Sequence, residues 1–191
     1  MLHDNPEKLR SYFEQALPYA DFLARAEAGH RPPWDQRHAQ TQLDPRQLEL
    51  VRGFTRKMHV LCLTGTWCGD CALQGAAMQR VAEANPDCID LRFVLRSDET
   101  APLVVKAPIN AGFRVPVTWW LAEDFAPVWC FGDRTLSRYR SMARKALGDA
   151  AVAAPPPADP VLAARDEVVD EFERVHLLLR LSGRLRQKHG D

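Results

Sequence analysis

The sequence lacks several features that would assign it to a common class. It has no apolar window of about eighteen residues, and residues 1–8 contain no apolar core of the secretory type. Its 25 lysines and arginines balance its 25 aspartates and glutamates, so no charge excess favours nucleic acid or an anionic membrane. The sequence therefore predicts a cytoplasmic protein that neither enters a membrane nor binds nucleic acid.

Cysteine is sparse, and its spacing argues against two further classes. The five cysteines are an odd number without the spacing of a secreted disulfide framework, which favours a reducing compartment. Cys62, Cys88 and Cys130 are isolated, and no histidine follows at zinc-finger spacing, so we expect no metal and no cofactor. We expect Cys62, within an apolar strand, to be a buried small hydrophobe.

The other two cysteines lie where a predicted strand gives way to a predicted helix. Residues 60–63 are apolar, a glycine-containing turn follows, and residues 69–84 have a helical composition. Cys68 and Cys71 would thus lie at a helix N-terminus, where unpaired N–H groups and the helix dipole favour a thiolate. Residues three apart share a helix face, roughly 5–6 Å apart at Cβ, so modest rotation can join the sulfurs. We interpret the pair as a reversible dithiol–disulfide centre.

Short strands and helices alternate through the middle of the chain. The predicted strands are 60–63, 89–95, 115–121 and 128–131, and the clearest helices are 69–84 and 136–147. This order predicts an α/β fold with a central mixed sheet flanked by helices. Trp119 and Trp120 are neighbours on one strand, so they should face opposite sides of the sheet, both in the core.

The chain divides into four predicted regions. They are an N-terminal helical extension (1–52), an α/β domain (53–147), an alanine- and proline-rich linker (148–160) and a long C-terminal helix (161–191). Within the extension, residues 30–43 are polar and proline-bearing, which predicts a loop whose Trp34 covers a hydrophobic surface.

The C-terminal helix has a broad apolar stripe. Its residues are Val168, Phe172, Val175 and Leu179, widened by Leu178, Leu181 and Leu185. Three roles stay open for this helix: packing on its own domain, forming a homodimer, or binding another partner.

The residues around the cysteine pair resemble the thioredoxin superfamily. Trp67-Cys68-Gly69-Asp70-Cys71 follows one strand, and Val115-Pro116 precedes another about 45 positions later, so the resemblance covers residues 54–147. The run 91–99, leading to Gly112 and the proline, is similar to a bacterial thioredoxin-like subgroup with the same Cys-Gly-Asp-Cys centre.

This resemblance implies a thioredoxin-like fold and thiol–disulfide oxidoreductase activity. Cys68 would be the nucleophile, Cys71 the resolving thiol, and Pro116 a cis-proline facing them. The substrates would be disulfide-containing proteins or low-molecular-weight thiols, and an unidentified reductase would return the electrons. The residues expected to contact substrate are Trp67, Gly69, Asp70, Val115 and Pro116.

A different function class stays open beside the oxidoreductase. The added helices at both ends could make the chain a thioredoxin-fold protein-binding module whose cysteines are not turned over.

Two residues depart from the family's pattern. Asp70 stands where thioredoxins have proline, and its carboxylate opposes a second negative charge on Cys68. Cys62 stands six residues before Cys68, where thioredoxins have a buried acid that assists proton transfer. Arg96 has two interpretations: it approaches the centre and favours the thiolate, or it is an ordinary solvated strand end.

Overall fold

The computed structural model describes residues 5–191, which fold into helices around one four-stranded sheet. The strands are β1 (Met58–Thr64), β2 (Ile89–Leu95), β3 (Val117–Ala122) and β4 (Pro127–Gly132). The helices before the sheet are α1 (Pro6–Gln15), α2 (Tyr19–Ala24), α3 (Arg31–Gln40) and α4 (Pro45–Arg52). The helices within and after it are α5 (Gly69–Ala84), α6 (Ala101–Val105), α7 (Leu136–Leu147), α8 (Pro160–Leu181) and α9 (Gly183–His189).

The sheet is mixed, as the alternation of elements predicted. Its strand order is β2-β1-β3-β4, with β1 parallel to β2 and antiparallel to β3, and β3 antiparallel to β4. Cys62 lies in the centre, opposite Phe93 on one side and Thr118 on the other. The central strand therefore carries the chain directly to the turn that holds the cysteine pair.

Each face of the sheet has its own hydrophobic core. Trp120 packs with α5 and α8 on one face, whereas Trp119 packs with α1 and α6 on the other. Both indoles are almost fully buried, which confirms the prediction for this pair. The alternation of a strand thus places two large aromatic side chains in separate cores.

The N-terminal helices share these cores. Leu9 and Phe13 of α1 are buried on one face, and Phe22 of α2 is buried on the other. Between α1 and α2, Leu17 exchanges two backbone hydrogen bonds with Phe93, of 2.9 and 2.7 Å, at the edge of β2. The segment before β1 is therefore built into the sheet.

The prediction of a loop over residues 30–43 is wrong. Residues 31–40 form α3, with Pro32 and Pro33 in its first turn, where a missing N–H costs no helical hydrogen bond. Trp34 is completely buried, which confirms that it covers a hydrophobic surface. The ring packs onto Gly75 of α5, where an added Cβ would overlap it.

The C-terminal helix is present but ends sooner than predicted. Ser182 has an extended conformation (φ −66°, ψ 114°) that separates α8 from α9, and its hydroxyl caps α9. The predicted apolar stripe is buried on the domain in part: Val168, Phe172, Val175, Leu179 and Leu185 are in the core, whereas Leu178 and Leu181 are exposed. Packing on its own domain is the role that the structure shows, and a homodimer stays a prediction. No helix within residues 5–191 is long and apolar enough to cross a membrane.

Candidate dithiol site

The turn after β1 places the two cysteines in different surroundings. Cys68 is the N-cap residue of α5, and its Sγ accepts the backbone N–H of Cys71 at 3.3 Å. The Cys68 N–H donates to the carbonyl of Gly65 at 3.1 Å, which closes the turn. Cys68 is partly exposed, whereas Cys71 is fully buried. One thiol therefore faces incoming molecules and the other lies behind it.

These surroundings shift the two thiol pKa values in opposite directions. A hydrogen bond from the Cys71 thiol, with the backbone N–H groups of Cys71 and Asp70, lowers the pKa of Cys68 to about 6, against burial and the Asp70 charge. Burial is the main cause that raises the pKa of Cys71. At neutral pH the pair thus consists of a thiolate in front and a protonated thiol behind.

The bond between Val115 and Pro116 is cis, which confirms the prediction. The Cys68 Sγ lies 3.9 Å from the Val115 carbonyl oxygen, so this loop forms the second wall of the site. β3 begins at Val117 and not at Val115, because Pro116 has no N–H to join the ladder. At the end of β4, a Cβ on Gly132 would lie 2.5 Å from the Pro116 carbonyl oxygen, so only glycine allows this approach.

The side chain of Asp70 points to two arginines. Its Oδ2 accepts from Arg134 Nε and its Oδ1 accepts from Arg138 Nε, each at 2.7 Å. The carboxylate is 11% exposed, so both ion pairs are shielded from solvent on the Asp70 side. The charge that the sequence places between the two cysteines is thus paired twice.

Arg134 also binds a second carboxylate, that of Asp133. Asp133 is almost fully buried and accepts from Arg134 at 2.7 Å, from Arg114 at 3.3 Å and from the Tyr139 hydroxyl. Burial raises the pKa of Asp133, but the Tyr139 hydrogen bond and the arginine charges outweigh burial, and the pKa is lowered. Arg114 directly precedes Val115, so this network reaches the cis-proline loop.

The N-terminal helices hold the turn from its other side. Trp34 Nε1 donates to the Thr66 carbonyl at 2.9 Å, and a ring nitrogen of His30 lies 3.1 Å from the Thr66 hydroxyl. The next residue, Trp67, is 54% exposed and contacts the His30 ring edge-on. α3 therefore fixes the turn and leaves one indole open to solvent beside Cys68.

Two sequence interpretations, those of Cys62 and Arg96, are settled by these positions. Cys62 is buried, as predicted, and burial raises its pKa to about 12. Arg96 is exposed, and its backbone N–H donates to Thr64 at 2.8 Å, so it is a solvated strand end and not a partner of the thiols. Within residues 5–191, no group of three histidine, cysteine or acidic side chains is arranged to hold a metal ion.

Sequence reasoning missed the arginines, although one signal pointed to them. Arg134 and Arg138 flank the N-terminus of α7, whose N-cap is Thr135. A cation is unfavourable at this end of a helix dipole, so two of them there indicate a dedicated acidic partner.

Comparison with known families agrees with this geometry. A family model described as thioredoxin matches residues 16–144 of the chain. The chain belongs to the thioredoxin family. The fold of the family is therefore shown for the part that contains both cysteines and the cis-proline.

Two solved structures are similar to this thioredoxin-family protein over more of its length. One is a protein of unknown function from Pseudomonas aeruginosa, 18% identical with a TM-score of 0.67, covering 86% of this chain and 96% of that one. The other is an HIV epitope scaffold, 15% identical with a TM-score of 0.66, covering 91% of this chain and 98% of that one. No curated protein matches the chain. At these identities the likenesses show the fold alone.

Proposed function

We propose that this protein is a cytoplasmic thiol–disulfide oxidoreductase of the subgroup with a Cys-Gly-Asp-Cys centre. The observation that carries the proposal is the contrast between the two thiols. Cys68 is accessible, with its pKa lowered to about 6, whereas Cys71 is buried with its pKa raised. A nucleophile and a protonated reserve thiol are the two parts that disulfide exchange requires.

The reaction would proceed in two exchange steps. The Cys68 thiolate attacks one sulfur of a substrate disulfide, so a mixed disulfide forms and the other substrate sulfur leaves as a thiolate. Cys71 then gives up its proton and attacks Cys68 Sγ, which breaks the mixed disulfide and releases the second substrate sulfur. The substrate gains two electrons and the protein keeps a Cys68–Cys71 disulfide, until a dithiol reductase restores it.

Contacts to the substrate would come from both walls of the site. Trp67 offers an exposed indole, and exposed Gly69 leaves room beside the sulfur. On the other wall, the Val115 carbonyl oxygen lies 3.9 Å from Cys68 Sγ, and the cis-Pro116 follows it in the chain. These groups suit an extended peptide around a disulfide, and a low-molecular-weight disulfide would use the same surface.

A second candidate, a protein-binding module, is favoured by one further observation. A cleft of about 400 Å³ lies beside Trp67, between the N-terminal segment and the end of β2. Its lining includes Tyr12, Phe22 and Phe93, so it combines an apolar floor with walls that the extension supplies. Such a cleft could hold a partner whether or not the cysteines turn over.

Thiol titration and trapping distinguish the two candidates. We expect the oxidised protein to have two fewer free thiols than the reduced protein, with the disulfide located at Cys68 and Cys71 by mass spectrometry. Cys71→Ser should trap mixed disulfides with lysate proteins through Cys68, whereas Cys71→Ser with Cys68→Ser should trap none. Cys88→Ser is the matched control and should behave as the wild type. If no reversible disulfide forms, the oxidoreductase proposal fails and the binding module remains.

A further inference from the structure

Asp70 acts on Cys68 in two opposite ways. Its backbone N–H is a hydrogen-bond donor that favours the Cys68 thiolate, whereas its carboxylate charge disfavours it. Both carboxylate oxygens are taken by arginines, Oδ2 by Arg134 and Oδ1 by Arg138. The ion pairs with the arginines therefore determine how strongly the Asp70 carboxylate disfavours the Cys68 thiolate.

Arg134 is held by two carboxylates at once. Its Nε donates to Asp70 and a terminal nitrogen donates to Asp133, both at 2.7 Å. A planar guanidinium can bridge two acids in this way, and an ammonium group cannot match the geometry. Asp133 is held in turn by Arg114, next to the cis-proline loop. One network thus joins the start of α5, that loop and the start of α7.

Because the carboxylates of Asp70 and Asp133 are buried, each depends on its arginine partners. Asp70 is 11% exposed and Asp133 is 1% exposed, so water cannot fully replace a lost arginine at either carboxylate. Removing one partner of a buried pair leaves a charge without compensation. The full negative charge of an unpaired Asp70 would then disfavour the Cys68 thiolate.

We propose that Arg134 and Arg138 are positioning residues of the dithiol site, which hold the Asp70 carboxylate in place and compensate its charge beside Cys68. This inference rests on the proposed function, because it concerns the same nucleophile. Arg134 additionally ties Asp70 to Asp133, so its role depends on the shape of the guanidinium as well as its charge. Among the described residues, the Arg138 side chain forms its ion pair with Asp70, so its role depends on charge and a single hydrogen bond.

Besides Asp70 and its arginines, the charged and titratable groups described near the Cys68 turn include two cysteines, Arg114, and His30, which contacts Thr66 and Trp67. Cys71 of α5 and Cys62 of β1 both interact electrostatically with Cys68, and both have raised pKa values. The cis-proline loop contributes Arg114, which is paired with Asp133. Asp70 and its arginines are therefore the groups whose alteration should move the Cys68 titration.

The test measures alkylation of Cys68 in the reduced protein as a function of pH. Iodoacetamide is the probe, its rate follows the thiolate fraction, and mass spectrometry locates the modification. We expect Arg134→Gln and Arg138→Gln each to slow alkylation at pH 6 about two- to sixfold, because an uncompensated charge at this range raises a pKa near 6 by about 0.5–1 unit. We expect Asp70→Asn to accelerate it.

Combining the substitutions tests whether the arginines act through Asp70. With Asp70→Asn already present, Arg134→Gln should change the rate by much less than it does alone. Arg134→Lys should fall between the wild type and Arg134→Gln, because lysine keeps the charge but cannot bridge both carboxylates. Equal effects of Arg134→Gln with and without Asp70, or no effect of Asp70→Asn, would overturn the proposal.

Arg144→Gln is the matched control for these variants. It removes an arginine from the same helix, ion-paired with Asp149, and should leave the rate unchanged. Circular dichroism and thermal unfolding identify variants that fail to fold, and Arg138→Gln, in which the arginine is 44% exposed, is the milder one. The alkylation rate needs no turnover, so this proposal can fail while reversible disulfide formation succeeds, and the reverse.

Discussion

The lowered pKa of Cys68 predicts that the folded, reduced protein gains stability as the pH rises from 6. Between pH 6 and the ordinary thiol pKa of 9.0, Cys68 is ionised in the folded chain and protonated in the unfolded chain. The unfolded state then binds one more proton, so the free energy of unfolding increases with pH. Below pH 6 both states hold the proton, and this contribution is lost.

The size of the effect follows from the shift. Three pKa units at about 1.36 kcal/mol each set a ceiling of about 4 kcal/mol. Cys68 is partly exposed, and solvent screening reduces what the shift contributes, so we expect about 1–2 kcal/mol. For a chain of 191 residues this corresponds to a rise in Tm of about 3–6 °C.

The assay is thermal unfolding of the reduced protein, compared with Cys68→Ser, from pH 5.5 to about 8.5, below the range where unfolded thiols ionise. Serine is a good N-cap, so it keeps the hydrogen bond to the Cys71 N–H and removes only the titration. Burial keeps Cys71 and Cys62 protonated over this range in both proteins, so the difference between the proteins reports the titration of Cys68. A difference in Tm that stays constant across this range would refute the lowered pKa and the thiolate argument with it.

Three further substitutions test how the turn and its neighbours are held. Trp34→Phe keeps an aromatic side chain but removes the donor to the Thr66 carbonyl and part of the buried ring volume, and should lower the free energy of unfolding by about 1–3 kcal/mol in urea. Gly75→Ala should lower it by about 1–3 kcal/mol, because the new Cβ overlaps the Trp34 ring. Glu167 of α8 accepts hydrogen bonds from the first backbone N–H groups of α7. Glu167→Gln weakens this cap and should lower the free energy of unfolding by about 0.5–2 kcal/mol.

Each of these substitutions has a specific check. Gly183→Ala is the control for Gly75→Ala, because a Cβ at Gly183 meets nothing within 4 Å, and it should be neutral or slightly stabilising. For Trp34→Phe, unchanged stability would show that the Thr66 carbonyl does not depend on the indole. For Glu167→Gln, an unchanged urea midpoint would show that the Glu167 carboxylate of α8 does not stabilise the start of α7.

Local pattern was sufficient to predict the elements that carry the cysteines. The helix over 69–84 and the strand over 89–95 have the predicted bounds, because their composition and end signals agree with their environment. The loop predicted over 30–43 failed because polar residues and two prolines hid a helix that one buried tryptophan anchors. The prolines are compatible with the first turn of a helix, but the packing of Trp34 decided that segment.

The partners of Asp70 were missed for a different reason. Asp70 was correctly identified as an unfavourable charge beside Cys68, but its partners lie 64 and 68 residues further along the chain. Only the return of the chain through β4 into α7 brings Arg134 and Arg138 to it. The negative charge that Asp70 places between the two cysteines is thus compensated by two arginines in a segment at the far end of the domain.

The bridge between Leu17 and Phe93 has a consequence for how the protein behaves as a solute. An edge strand with free N–H and C=O groups is a template on which a second chain can add a strand and start an aggregate. Here Leu17 donates one hydrogen bond to Phe93 and accepts another from it, so the short segment between α1 and α2 blocks that template at the edge of β2. This segment thus protects the β2 edge of the sheet at Phe93, and a version trimmed to residues 54–147 would expose that edge.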